Sequence, residues 1–475
     1  MNSLIKKFIE FAIGNGIVLV LGLLSTPIVS RLIEPYEKGR ADMFTTYTSL
    51  AVLVITLGID QAYIRYFNEE KSENRGKLLR RAVKIPILFN VIVSVILLVF
   101  YKSFSNYIVD ETSLVIVILF VFHVFSSIVS NFALIDVRMK QKAKSYSTFG
   151  VINKVCFMIY ILLIYRVFKG NYITLVLATV FANISMVLCV LFLERKDWFS
   201  INRNKDINTS YKDLLKYGYP FIFSMSITWI FQSVDRIAIR QFSDYTQVGL
   251  YGGAMSIISI LNTVQGAFTT FWIPVAYDRY NNDPSDTKFF AKINEIVSFF
   301  MLLLAVGLIA TKDISIILLD SKYESARYIF PFLVFMPIMY TISETTVLGI
   351  NFKKKTKYHI IIAAASALTN VVGNFILVPK LGAKGAAIST GVAYMVFFIV
   401  RTYLGNKFFK VNAKYLKFFI SIALTYVLAI ISSIYKFNML ILAVTILALV
   451  VICILYRNII MDCINLIKGK FKRKE

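Results

Sequence analysis

Four polar side chains inside one apolar stretch carry the first chemical signal. Thr228, Gln232, Arg236 and Arg240 recur at i, i+4, i+8 and i+12, which puts them on one stripe of a helix. Asp235 adjoins Arg236. A charged group at the centre of a membrane helix costs roughly 2.5–3.5 kcal/mol on insertion scales, so it faces a cavity or a partner. Two guanidinium forks on one stripe could line a wall for an anion, a phosphate above all. The structural alternative is hydrogen bonding between helices, with Arg240 snorkelling to the interface.

Other ionisable groups sit in comparable places. Lys154 lies about two turns inside its apolar segment, too deep for snorkelling, so it must meet water or an anion. Asp60 and Arg65 end the second segment, where a structural ion pair competes with a cavity role. Glu295 and Glu344 could carry a coupling proton or sodium, as could Asp60 and Asp235, or the two glutamates could pair with Lys292 or Lys154. Ser366, Asn370 and Asn374 repeat at i, i+4 and i+8, as substrate contacts or as glue between helices. Arg31 ends the first segment as a cavity candidate or an interface anchor. His123 shares a polar face with Ser127, Ser130 and Asn131, where packing is the blander reading. Buried basic residues in both halves favour an anionic substrate, whereas a cationic drug would favour buried acids and aromatics.

The elements that position these residues follow from composition. The 475 residues are 57% apolar and only 17% charged, with mean hydropathy +0.69. A soluble chain is about 25% charged. Fourteen apolar blocks of roughly 20 residues, long enough to cross a bilayer, fall at 8–33, 44–67, 85–101, 113–135, 147–168, 172–193, 217–239, 248–277, 289–310, 328–351, 358–378, 382–404, 416–434 and 439–459. The blocks are continuous rather than alternating, so they are helices and not barrel strands. The fold class expected is an all-α polytopic membrane protein. The net charge of +25 would suggest nucleic acid in a soluble protein. Here it reports topology: with the N-terminus in the cytoplasm, 34 of the 52 Lys and Arg fall on the cytoplasmic side and 12 on the external side, as the positive-inside rule requires. Both ends are then cytoplasmic, and no nucleic-acid partner is implied. The four cysteines lack metal-site spacing, and two histidines argue against a His-based metal site. No metal or cofactor is expected.

An internal repeat organises the spans. Ile28-Val29-Ser30-Arg31 with Gly39 matches Ile237-Ala238-Ile239-Arg240 with Gly249. Lys142-Ala143-Lys144-Ser145-Tyr146 matches Lys355-Thr356-Lys357-Tyr358. Both units begin on the same side, so the repeat is parallel. The expected organisation is an N-lobe of six helices (1–195), a cytoplasmic linker (196–213), a C-lobe of six helices (214–407), and two further helices with a basic tail (408–475). Pro220 and Pro274 are expected to interrupt helices where a lobe bends.

The run Asn370–Thr390, with Asn370, Asn374, Pro379, Gly382, Gly385, Ala386, Ala387 and Thr390, resembles a signature of polysaccharide flippases. Tyr217-Gly218-Tyr219-Pro220 with Asp235-Arg236, and Leu57-Gly58-Ile59-Asp60 with Arg65-Tyr66-Phe67, are similar to other parts of it. The chain resembles the Wzx-type O-antigen and capsule repeat-unit flippases of the MATE/MOP superfamily. That resemblance implies two lobes around a cavity that opens alternately to each side, and an undecaprenyl-pyrophosphate-linked oligosaccharide as substrate in the bacterial inner membrane. It further implies coupling to an H+ or Na+ gradient or to the membrane potential, and work alongside a polysaccharide polymerase and chain-length machinery. A lipid II flippase is the nearest alternative, and it too has two extra helices. A MATE-type multidrug antiporter would carry twelve helices and more buried acids. A membrane polymerase would need a large external loop, which the sequence lacks, so a transporter rather than an enzyme is expected.

Overall fold

The computed structural model describes residues 2–199, 207–411 and 414–471. The centre of the expected linker (200–206) and the tail residues 472–475 lie outside them. The described residues contain helices and turns and no strand. All fourteen apolar blocks are helical. Eight helices are individually long and apolar enough to span a bilayer, and two bent pairs raise the number to ten. Two further helices have shorter apolar stretches, Gly16–Leu32 and Met439–Leu455, and two long helices, Tyr211–Phe242 and Tyr245–Asn282, are of more mixed polarity.

The chain divides into two compact units, the first comprising 1–237 with 244–249 and the second 238–243 with 250–475. In the first, α1 (Asn2–Leu32) leads to α2 (Pro35–Thr56), which starts with Pro35 in its first turn, where its missing N–H costs nothing. Leu57 and Gly58 both adopt left-handed conformations and break the helix, and α3 (Ile59–Tyr66) departs at 55°. A helix read as one segment is therefore two. α4 (Arg75–Val99), α5 (Tyr101–Val109), α6 (Leu114–Met139), α7 (Ala143–Phe168), α8 (Tyr172–Leu193) and α9 (Arg195–Phe199) follow. Asn171 caps α8 by accepting from Ile173 N–H. α10 (Tyr211–Phe242) belongs to the first unit up to Ile237, and α11 (Tyr245–Asn282) belongs to the second from Leu250 onward. Each runs unbroken through its proline, Pro220 or Pro274, so the expected interruption does not occur. In a membrane helix, neighbouring groups can satisfy the carbonyl that a proline frees.

The second unit holds α12 (Thr287–Ala310), the short α13 (Lys312–Ser315), α14 (Phe330–Leu333), α15 (Phe335–Glu344), α16 (Leu348–Phe352), α17 (Lys357–Leu381), α18 (Ala383–Phe408), α19 (Tyr415–Ser432), α20 (Met439–Leu455) and α21 (Arg457–Phe471). The tenth block is thus fragmented, with a 58° bend at Tyr328–Phe330. Outward faces are apolar: Ile92, Val95 and Val99 on α4 and Leu368, Phe375 and Ile376 on α17 are more than half exposed or nearly so. Such faces belong in lipid.

The repeat is visible in backbone detail. Gln141 and Lys354, 213 residues apart, both turn left-handed after a helix. The next N–H closes the same bond in each, Lys142 to Val137 C=O and Lys355 to Ile350 C=O. Lys169 (φ 51°, ψ −137°) and Gly382 (φ 53°, ψ −136°), again 213 apart, make one turn twice. The glycines of the other matched pair meet directly. A Cβ on Gly39 would lie 1.8 Å from Tyr245 O, and one on Gly249 would lie 1.8 Å from Pro35 O. Only glycine allows this backbone approach.

Candidate functional site

Within the first unit, two polar cavities share His123 and Ser127 in their walls. The first, of about 390 Å³, is lined by residues of α2 and α3 including Thr45, Thr48, Ser49, Thr56 and Asp60, with Asn131 from α6 and Met225 from α10. The second, of about 300 Å³, is lined by Asn153 and Lys154 of α7 and by Thr179 and Asn183 of α8. Behind the second cavity, α7 packs closely on α1: a Cβ on Gly14 would lie 1.8 Å from Ser147 Oγ, and one on Gly150 would lie 3.0 Å from Val18 Cγ2.

His123 is buried, stacks on Phe44 with ring centroids 5.9 Å apart, and leaves Nδ1 unpartnered. Asn183 donates to Ser126 Oγ at 2.9 Å and to Ser127 Oγ at 3.2 Å, tying α8 to α6. Lys154 is half-buried and has no ion-pair partner among the described residues. Asp60 is 4% exposed, and its Oδ2 accepts from Gln61 Nε2 at 2.9 Å while Oδ1 is unpartnered. One cavity therefore carries the Lys154 ammonium and the other the Asp60 carboxylate, with the His123 imidazole and the Ser127 hydroxyl in the walls of both. Such a wall can bind an anion near Lys154 and polar hydroxyl-bearing groups along its length.

The remaining candidates are placed differently. Arg65 pairs with Glu69 one turn on and is half exposed. Arg31 is exposed in the last turn of α1. Gln232 is exposed on α10, and Arg236 is half-buried with Nε lacking a hydrogen-bond partner among the described residues. Asp235 is buried, and Arg240 is half-buried two residues before α10 ends. None of these lines either cavity. Asn370 and Asn374 are fully buried and bonded together at 3.2 Å, and Ser389 of α18 donates to Asn370 Oδ1 at 2.8 Å, which ties α17 to α18.

The two glutamates find partners other than Lys292 and Lys154. Glu344 accepts from Arg401 Nη2 at 2.7 Å, with both side chains at most 7% exposed. Glu295 faces Lys417 at 3.3 Å and Lys414 at 3.5 Å, while Lys292 pairs with Asp462. These pairings follow from how distant helices meet, which local sequence does not specify.

Two charge networks missed by sequence reasoning hold the ends of the first unit. Arg40 donates to Val109 C=O and to Glu111, each at 2.6 Å, and lies 3.7 Å from the centre of the Tyr172 ring. Tyr172 donates its backbone N–H to Glu37 and its hydroxyl to Glu111. At the other end, Asp136 accepts from Tyr63 at 2.6 Å and from Lys140 at 2.5 Å, and Lys140 also reaches Asp197 at 2.7 Å. Asp136, Glu194 and Asp197 lie close enough for a metal ion, but the Lys140 ammonium already supplies the positive charge. Burial disfavours that ammonium, yet the two aspartates outweigh it and raise the Lys140 pKa above the usual lysine value. The only sequence signal was a lone arginine and a lone aspartate at helix ends.

The described residues form an all-helical, polytopic membrane protein whose first unit holds cavities with polar side chains among its helices. Residues 4–278 match the family described as polysaccharide biosynthesis protein, and the chain belongs to that family. An uncharacterized membrane protein of Methanocaldococcus jannaschii is 21% identical over 415 residues, covering 81% of this chain and 82% of that one. Among solved structures, a lipid II flippase in an inward closed conformation superposes with a TM-score of 0.71 at 17% identity, over 95% of this chain and all of that one. An inward-facing multidrug resistance transporter of the MATE family and MOP superfamily gives a TM-score of 0.59 at 16% identity, over 83% and 94%. These likenesses establish the fold.

Proposed function

We propose that the protein flips a polyprenyl-pyrophosphate-linked oligosaccharide repeat unit from the cytoplasmic to the outer leaflet of the bacterial plasma membrane for surface polysaccharide synthesis. The site is exposed alternately to the two sides. The carrier is undecaprenyl, and a polysaccharide polymerase with its chain-length machinery consumes the product. The observation that carries the reading is Lys154: a cation held among membrane-spanning helices without a counter-charge among the described residues, beside amides and hydroxyls, in a chain of the polysaccharide biosynthesis family. An ammonium there compensates a pyrophosphate, and the neutral polar groups suit sugar hydroxyls. Gradient coupling by H+ or Na+, or drive by the membrane potential, belongs to the same proposal.

The test is a deletion strain complemented with wild type, Lys154→Ala or Lys154→Arg. Loss of the protein traps lipid-linked repeat units on the cytoplasmic leaflet and removes surface polysaccharide. Lys154→Ala fails to complement at normal protein abundance, whereas Lys154→Arg restores part of the function. Normal surface polysaccharide in the deletion strain, with no second flippase gene in the genome, overturns the function. Full complementation by Lys154→Ala overturns the site. Accumulation of lipid II instead assigns the other substrate.

A further inference from the structure

We propose that a lysine cluster at the cytoplasmic end of the second unit, Lys353, Lys355, Lys357, Lys407 and Lys410, holds the phosphate headgroup of an anionic phospholipid of the inner leaflet. The ligand is bilayer lipid and not cargo, so the inference goes beyond the flippase reading and does not depend on it.

The internal repeat brings the cluster out. Lys140, Lys142 and Lys144, around the turn into α7, correspond 213 residues on to Lys353, Lys355 and Lys357, around the turn into α17. The two turns share one backbone conformation. In the first unit the turn is neutralised from within: Lys140 pairs with Asp136 and Asp197, and Lys142 pairs with Glu194. The same offset takes Asp136 to Gly349, Glu194 to Lys407 and Asp197 to Lys410. Where the first unit has three acids, the second has a glycine and two lysines. The glycine has a packing reason, since a Cβ on Gly349 would lie 2.2 Å from Gly405 O. The two lysines have no such reason, because both side chains are exposed.

The two basic stretches meet. The Phe352 ring lies 5.5 Å from that of Phe409, and the Tyr358 ring 5.1 Å from that of Phe408. All five lysines are exposed, and none forms an ion pair among the described residues. Farther along, Lys414 and Lys417 already share Glu295. Like charges gathered in this way repel, and an anion from outside relieves them. The apolar surroundings select the kind of anion. Ile360 and Ile361 on α17 and Tyr403 on α18 are 47%, 50% and 73% exposed, and each lies within four residues of Lys357 or Lys407. A ligand with an anionic head and apolar tails meets both the lysines and these side chains. A free phosphate would use only the lysines. Basic clusters beside membrane helices on the cytoplasmic side recognise lipid headgroups in this way.

The experiment titrates phosphatidylglycerol, and in parallel phosphatidylcholine, into the purified full-length protein in a neutral detergent. Binding is read by native mass spectrometry and by melting temperature. Wild type is expected to bind phosphatidylglycerol at least tenfold more tightly than phosphatidylcholine and to melt higher with it. At about fivefold per lysine, Lys353→Gln/Lys355→Gln weakens phosphatidylglycerol binding more than tenfold. Lys407→Glu/Lys410→Asp, which gives the second unit the acids of the first, abolishes the preference. Lys71→Gln/Lys84→Gln, a change of two exposed lysines in the first unit, leaves the preference intact. The assignment is overturned by the absence of a preference in wild type, or by unchanged affinity in both cluster variants. It is also overturned by an equal loss in the Lys71/Lys84 control, which would make the effect one of net charge alone. A matching rise in melting temperature with inorganic phosphate at constant ionic strength would make the ligand a free anion and overturn the lipid. Undecaprenyl phosphate binding at least tenfold more tightly than phosphatidylglycerol would make the cluster a cargo site and overturn it too. Should Lys407→Glu/Lys410→Asp fail to fold, the Lys353→Gln/Lys355→Gln pair decides alone.

Discussion

The Arg401–Glu344 pair offers a decisive perturbation, because it separates a structural carboxylate from a transport carboxylate. Arg401 donates from Nη2 to Glu344 at 2.7 Å and from Nη1 to Ser343 at 2.7 Å. It also lies 4.9 and 5.2 Å from the ring centres of Tyr340 and Phe397. Replacing one member of a buried pair typically costs about 3–5 kcal/mol, since the other charge is left uncompensated. In Glu344→Gln the amide oxygen still accepts one bond and the two rings still face the guanidinium, so the expected cost is near the lower figure, about 3 kcal/mol. An unfolding entropy of about 2.1 cal/mol/K per residue gives roughly 1 kcal/mol/K for a chain of this length, so the midpoint falls by about 3 °C. Thermal unfolding in detergent, followed by fluorescence-detected size exclusion, resolves that shift. Arg401→Met should cost a similar amount, and the double variant Arg401→Met/Glu344→Leu should recover most of it, because apolar replacement of a whole pair is often neutral. A Glu344→Gln protein that melts with wild type while losing transport would refute the structural assignment and return Glu344 to the ion-coupling group.

Other substitutions probe the backbone and the candidate site. Lys169→Gly removes a side chain from a conformation that suits glycine, φ 51° and ψ −137°. It should stabilise by about 1 kcal/mol after glycine's extra chain entropy is charged against it, read as a small rise in melting temperature. Gly249→Ala places a Cβ 1.8 Å from Pro35 O; since backbone must move, the loss should exceed about 3 kcal/mol and appear as low folded yield. Arg236→Ala should reduce flipping more than protein abundance if its half-buried guanidinium meets substrate, and unchanged surface polysaccharide at unchanged abundance removes it from the site.

Much of the fold was legible because hydrophobic length alone identifies a span. The sixth block, 172–193, coincides with α8 because Asn171 supplies a cap that sequence can recognise. The second block misled because its break depends on Leu57, an apolar residue with no turn signature, adopting φ 54° beside Gly58. The repeat was detectable from two short matches, yet its sharpest copies, Gln141 with Lys354 and Lys169 with Gly382, share conformation and not residue type. The candidate site was only partly legible. Lys154 and Asp60 stood out as ionisable groups inside apolar blocks, and each lines one of the two cavities that share His123 and Ser127. Asn183, Asn153 and Thr179 had no signal, because an isolated amide or hydroxyl in a membrane helix most often serves packing.

What separates the informative charges from the rest is the location of the counter-charge. Arg40, Asp136, Glu344 and Arg401 are all buried, as Asp60 is, so burial alone does not distinguish them. Each has an opposite charge in contact, on the same helix or on a neighbour, and such pairs are satisfied without any ligand. Lys154 and Asp60 have no such partner among the described residues, and each sits where polar cavity replaces packed side chain. Retaining an uncompensated charge between membrane helices costs stability at every moment the site is empty. That cost is offset only when something of opposite charge enters, which makes the unpaired charges of the two cavities, and not the most buried charges of the chain, the residues where transport should first fail.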